Sequence, residues 1–177
     1  TVLANASAHV IVPSLIAKLP YDPIRDFTPV TVMGSAPLVL VVTPALPVKS
    51  VQELVALGKA RPGELAFGSS GSGTSTHLSG ELLKSVTGIK MTHVPYKGSG
   101  QALIDVMAGH VPMTFGSITA SVELLKSGRL RAVAITSEKR YPQLPGVPTF
   151  IESGYKSLVI GSWYAVWLPS KSPEAIV

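Results

Sequence analysis

Apolar positions fall into successive blocks whose spacing alternates between the period of two typical of strands and the period of about 3.6 typical of helices. A short helix is expected around Val10 to Lys18. Phe27 to Thr43, rich in Val, Thr and Leu, reads as one or two strands, with Pro37 marking a break. Ser50-Val-Gln-Glu53 has capping-box spacing ahead of Leu54, Val55 and Leu57, so a helix should run to about Ala60 and stop at Arg61-Pro62-Gly63.

From there the unit repeats. A strand at Leu65 to Ser69 enters a Gly/Ser loop. The helix that follows, from Thr74 to Val86, places Leu78, Leu82, Leu83 and Val86 on one face and ends at Gly88. Strand Lys90 to Val94 leads to helix Ser99 to Ala108, with Leu103, Val106 and Met107 inward. Strand Val111 to Phe115 leads to helix Thr119 to Lys126, and strand Leu130 to Thr136 closes the series. Such alternation predicts a parallel sheet with right-handed crossovers. Pro148 and Thr149 should open a short helix ending at Gly154, and the apolar run Leu158 to Leu168 suits a strand that leaves this unit.

Both ends carry signs of continuation. Ser172-Pro173-Glu174 has a cap residue, a proline at the first helical position and an acid against the dipole, three residues before the last. No earlier strand is present to pair with those around Val30 and Val39. The chain is therefore expected to be the central piece of a longer protein.

Composition narrows the functional classes. With 177 residues, 46% hydrophobic and 14% charged, the chain can bury one substantial core or two small ones, which excludes a disordered protein. No apolar stretch approaches the roughly 20 residues of a membrane span. The apolar run Ala36 to Thr43 is broken by Pro44 and Pro47. The absence of cysteine removes disulfides, thiolate metal sites and cysteine nucleophiles. The net charge of +5 comes from basic residues scattered singly from Lys18 to Lys171, so no nucleic-acid stripe forms. This basic excess either favours approach of a small anion or is a solvated surface.

The most informative segment runs from Phe67 to His77, Phe-Gly-Ser-Ser-Gly-Ser-Gly-Thr-Ser-Thr-His, between a predicted strand and a helix start. Backbone N–H groups there should be free and aimed outward, the helix N-terminus carries partial positive charge, and serine hydroxyls can rotate to donate. Such a loop suits an anion at the carboxyl end of a strand.

Enzyme motifs fail at named positions. Thr74 stands where a P-loop needs its lysine, and Thr76 occupies the third glycine's place of a dinucleotide fingerprint. The Gly-x-Ser-x-Gly register of a nucleophile elbow never occurs around Ser69, Ser70 and Ser72. No two of His9, His77, His93 and His110 lie four apart as a helical zinc site requires, and no motif calls for a cofactor. His77 either bonds a ligand or caps its own helix.

A second segment, His93-Val-Pro-Tyr-Lys-Gly-Ser-Gly100, again joins a strand end to a helix, and Tyr96 there offers an apolar face and a hydroxyl. Lys97 either pairs with a carboxylate or is simply exposed. Gly116-Ser117 repeats the pattern at a third strand end. Three polar, glycine-bearing loops at successive strand ends make one cleft. None brings an acid/base pair into it, which points to binding rather than turnover.

Taken together, several of these segments resemble one family, the Bug-type receptors of tripartite tricarboxylate transporters, bacterial periplasmic solute-binding proteins. The carriers of the resemblance, spread over nearly the whole chain, are Leu19-Pro-Tyr-Asp-Pro23, Asp26-Phe-Thr-Pro-Val30, Gly68-Ser-Ser-Gly-Ser-Gly-Thr74 with His77, His93-Val-Pro-Tyr-Lys-Gly98, Leu130-Arg-Ala-Val-Ala134 and Leu144-Pro-Gly-Val-Pro-Thr149.

The resemblance implies an α/β, type II periplasmic-binding-protein-like fold, with two lobes joined by crossover strands and the first lobe incomplete. Residues 1–44 would be part of the first lobe, 45–162 the second, and 163–177 a return strand and helix start of the first. It also implies a small carboxylate ligand, held by Asn5 and Ser7 from the first lobe. Ser69, Ser70, Gly71, Ser72, Gly73, Thr74, His77, Tyr96, Gly98 and Ser117 would hold it from the second. The expected role is delivery of solute to the membrane permease subunits of the transporter, without catalysis. The alternative is a solute sensor that presents its ligand to a signalling partner.

Overall fold

The computed structural model describes residues 2–176. Strand β1 (Leu3–Ala6), helix α1 (Ala8–Ile11) and a 3-10 turn at Val12–Ser14 lead to the long strand β2 (Phe27–Val42). Helix and strand then alternate: α2 (Val51–Ala60), β3 (Leu65–Ser69), α3 (Ser75–Thr87), β4 (Met91–Pro95), α4 (Ser99–Ala108), β5 (Met113–Ser117), α5 (Ile118–Lys126) and β6 (Arg131–Ile135). An irregular connection precedes β7 (Gly161–Pro169) and a 3-10 turn at Glu174–Ile176.

The larger sheet has the order β4-β3-β5-β2-β6. Within it β3 is parallel to β4 and β5, while β2 is antiparallel to both β5 and β6. The strands of the repeat thus run parallel, as expected, and β2 is the antiparallel member of this sheet. Helix–strand alternation specifies only strands connected through their own crossover helix, and β2 enters from outside the repeat.

Alternate residues of β2 explain its unbroken apolar run. Leu38, Leu40 and Val42 face a core closed by α2, α3 and Phe150, and Val39 and Val41 face a second core closed by α4 and α5. A strand covered on both faces has no reason to alternate apolar with polar.

The first part of β2 belongs to a smaller sheet, β1-β7-β2, in which both contacts are antiparallel. No break occurs at Pro37. Pro37 lies opposite Gly161 of β7 and the next residue, Leu38, opposite Ser117 of β5, so the missing N–H falls where the strand changes partner. Thr136 ties this junction together: its hydroxyl accepts from Leu38 N–H at 2.8 Å, its N–H donates to Leu38 O at 2.9 Å, and its carbonyl accepts from Ile160 N–H at 3.1 Å.

Other expectations also shift. The helix anticipated from Val10 to Lys18 is only α1 and the 3-10 turn, because Pro13 cannot continue the hydrogen-bond ladder. Buried His9 anchors α1, bonding Pro23 O through Nε2 at 2.9 Å and packing on Trp167. The segment after Pro148 is a single turn. Thr149 and Glu152 cap each other's backbone, but Gly154 at φ +92° ends it at once. After Ser172 the described residues form the 3-10 turn, and Val177 lies outside them. The capping box at Ser50 forms: its hydroxyl accepts from Glu53 N–H at 3.1 Å, and Glu53 reaches back to Lys49 N–H at 2.7 Å.

Helix α3 sits close on β3 because Gly80 faces the ring of Phe67, which is fully buried. A methyl group at Gly80 would overlap that ring. Gly80→Ala is therefore expected to destabilise the fold by about 1–3 kcal/mol despite alanine's better helix propensity, read as a lower urea midpoint.

Candidate ligand-binding site

The parallel strands β3, β4 and β5 end side by side, and each turns directly into a helix, α3, α4 or α5. Three helix N-termini thus meet on one rim of the larger sheet. First-turn N–H groups have no acceptor within their own helix and carry partial positive charge. At this rim lies a hollow of about 50 Å³. Ser70 lines it from the β3–α3 turn, Ser75 and Thr76 from the start of α3, Ser99 from the start of α4 and Ser117 from the end of β5. Ala36, Pro37 and Leu38 of β2 with Ser162 and Tyr164 of β7 form the opposite wall. No lining residue is charged. Larger hollows along residues 13–26 (about 660 Å³) and on the smaller sheet beside Trp163 (about 580 Å³) lack this convergence.

The Gly/Ser loop is built differently from the expected array of outward amides. Ser70 N–H donates to Thr76 Oγ1 at 2.9 Å, Gly71 N–H to Ser69 Oγ at 3.1 Å, Gly73 N–H to His77 Nδ1 at 3.2 Å and Thr74 N–H to Gly71 O at 3.3 Å. A turn this tight satisfies its own backbone. What it presents to the hollow is the Ser70 hydroxyl and the first residues of α3. Glycine is required at two points, Gly71 with φ +129° and Gly73 with φ +80°. Gly73 is also buried beneath Leu15, whose Cδ1 would lie 2.9 Å from an added Cβ. Ser72 is exposed at the tip, and Thr74 caps α3 through His77 N–H at 3.4 Å.

The remaining candidates separate into two groups. Ser70 and Ser117 reach the hollow, and Ser117 also caps α5 by accepting from Ala120 N–H at 3.3 Å. Gly98 is the N-cap of α4, one residue before Ser99. Asn5 accepts from Ala6 N–H at 2.8 Å within the smaller sheet, and Ser7 is buried with its N–H on Trp163 O. Ser69 is fully buried, 2.6 Å from His93 Nε2. His77 stacks on His93 with ring centroids 4.0 Å apart, and His93 stacks in turn on Phe67. Tyr96 packs beneath Gly68 and donates its hydroxyl to Asp105 Oδ2 at 2.7 Å. Burial first, then the hydrogen bond to Asp105, pushes that phenol up to about 12, and the same bond holds the Asp105 carboxyl below its usual range. Neither His77 nor Tyr96 lines the hollow.

Sequence reasoning missed Ser75, Thr76, Ser99, Ser162 and Tyr164. The first three occupy the opening positions of α3 and α4, which the caps at Thr74 and Gly98 locate. The last two come from a strand distant in sequence, and no local signal points to them.

A family model described as the tripartite tricarboxylate transporter family receptor matches residues 1–177. The chain belongs to that family. It is 40% identical over 176 residues to protein BugT of Bordetella pertussis, covering 99% of this chain and 54% of that one. It is 36% identical over 178 residues to a Pseudomonas protein from the tcbD-tcbE intergenic region, covering 53% of it. The chain thus spans about half the length of these curated relatives.

Among solved structures, Rpa4515 of R. palustris with adipate superposes at a TM-score of 0.93 with 40% identity, over 99% of this chain and 59% of that one. MatC of Rhodopseudomonas palustris with bound malate gives 0.92 at 29% identity, over 99% and 60%. Periplasmic binding protein BugD gives 0.92 at 29%, over 99% and 58%. The fold is therefore the type II periplasmic-binding-protein α/β fold of this receptor family, with β2 as its antiparallel strand.

His93 supplies a pH test of the stacked rings behind the loop. Burial, and secondarily the neighbouring His77, lower its proton affinity below the ordinary imidazole value of 6.5. The unfolded chain then binds the proton more readily, so stability is full above 6.5 and is lost as pH falls toward the lower folded-state value. The melting temperature should decline between about pH 6.5 and pH 5, above the carboxylate range, and His93→Gln should flatten that segment in scanning calorimetry.

Proposed function

We propose that this protein is part of an extracytoplasmic receptor that captures a small carboxylate between two lobes and delivers it to the membrane permease subunits of a tripartite transporter. The observation that carries this reading is the meeting of three helix N-termini, those of α3, α4 and α5, at one hollow lined by serine and threonine hydroxyls. Oriented amides and hydroxyls supply donors to an anion without a cationic side chain. Two relatives of the same fold were solved with carboxylates, Rpa4515 with adipate and MatC with malate.

In this reading residues 45–162 belong to the second lobe and residues 1–44 and 163–177 to the first. The ligand lies against the crossover strands, where Pro37 and Ser162 flank the hollow. Ser70, Ser117 and the α3 and α4 first-turn amides bind it. Asn5, Ser7, Gly98 and the turn Ser69 to Thr74 shape or complete the site, and Tyr96 holds the β4–α4 connection through Asp105. Turnover is not expected, because no nucleophile paired with a base faces the hollow. Residence in the periplasm follows from the receptor role. Among the described residues no helix is long and apolar enough to cross a membrane.

Calorimetric titration of the protein with a panel including adipate and malate is expected to identify a binder. Gly73→Val, which forces φ +80° on a β-branched residue and drives a side chain into Leu15, should weaken that binder about tenfold or more. Wild-type affinity in this variant, or no binding across the panel, counts against the reading.

A further inference from the structure

His77 lies outside the hollow yet is bonded to the loop that frames it. Its Nδ1 accepts from Gly73 N–H at 3.2 Å, which requires that nitrogen to be free of a proton. The ring proton is then on Nε2, facing Glu81 Oε1 at 3.8 Å. Gly73 is held from the other side by Leu15, so the glycine turn is clasped between an imidazole and an apolar side chain. Through Thr74, which reaches Gly71 O at 2.7 Å and Thr76 Oγ1 at 2.9 Å, the clasp extends to Thr76 and Ser70 on the wall of the hollow.

We propose that His77 is a positioning residue for the ligand loop: its neutral imidazole holds Gly73, and protonation at Nδ1 releases the loop and lowers ligand affinity. This rests on the assignment of the hollow as a carboxylate site. A proton on Nδ1 sets one donor against another, N–H against N–H. It also places a cation on the face of His93, 4.0 Å away.

The other groups around the ring are few. On α3, Glu81 Oε1 lies 3.8 Å from Nε2, and Lys84 holds both Glu81 oxygens at 2.9 and 2.8 Å. On β4 stands His93, itself bonded to Ser69, and β3 contributes the uncharged Phe67. By linkage, ligand binding must in turn oppose protonation of His77.

The test compares adipate and malate affinity from about pH 8 to about pH 5 in wild type, His77→Asn and His77→Phe. Asn Oδ1 can accept from Gly73 N–H and does not titrate, whereas Phe keeps the stack and loses the acceptor. Wild type should weaken about tenfold on acidification beyond the change seen in His77→Asn, the cost of one lost hydrogen bond with a donor left unpaired. His77→Phe should be weak throughout. Titration of the ligand itself is common to all three and cancels. Parallel pH profiles for wild type and His77→Asn, or wild-type affinity in His77→Phe, overturn the proposal.

If wild type binds neither acid at any pH, the carboxylate assignment fails, and hydrogen-exchange protection of the Gly73 amide decides the inference instead. Protection that falls with acid in wild type and persists in His77→Asn supports it. The same profile in both overturns it.

Discussion

One strand serves two sheets, and the rest of the molecule is arranged around that constraint. Over its first part β2 pairs with β7; after Pro37 it is inserted between β5 and β6 and is buried on both faces. The change of partner leaves backbone groups that neither ladder satisfies, and Thr136, the residue after β6, meets them with side chain and main chain together. Each such bond contributes about 1 kcal/mol net, but leaving a buried donor unmet costs more, so the junction is strongly specified. The hollow lies beside it, with Pro37, Leu38 and Ser162 in its wall. Any displacement of the smaller sheet relative to the larger one therefore changes the shape of the site.

The electrostatics of that site come from secondary structure rather than from charged side chains. Lys97 is exposed, and its backbone N–H donates to Gln101, while no lysine or arginine reaches the hollow. The positive potential is that of first-turn amides, fixed in direction by the helices. The Gly/Ser turn contributes differently from its appearance in the sequence: most of its amides close the turn, and closing it sets Ser70 and Thr76 in place.

Much of the architecture was legible in the sequence. From Ser50 to Ile135 the apolar spacing, the cap at Ser50 and the stop at Gly88 locate each helix and strand to within a few residues, because the period and end signals of each element lie within its own segment. The antiparallel placement of β2 and the continuity of that strand through Pro37 were not, since the first depends on pairing with the distant strands β5 and β6 and the second on β7, further along still. The same division holds at the site. Ser70 and Ser117 were legible from their loops, whereas Ser162 and Tyr164 arrive with β7. His77 illustrates an intermediate case: the sequence marks it beside the glycines, but only the geometry shows its ring turned toward Gly73 and His93.

If the proposed site holds its ligand by peptide groups, no single side chain carries the charge that an arginine clamp would concentrate in one residue. Under the proposed reading, and provided the helix starts stay where they are, substitutions on β7, at positions such as Tyr164, would reshape which solute fits while the donors to a negative charge persist.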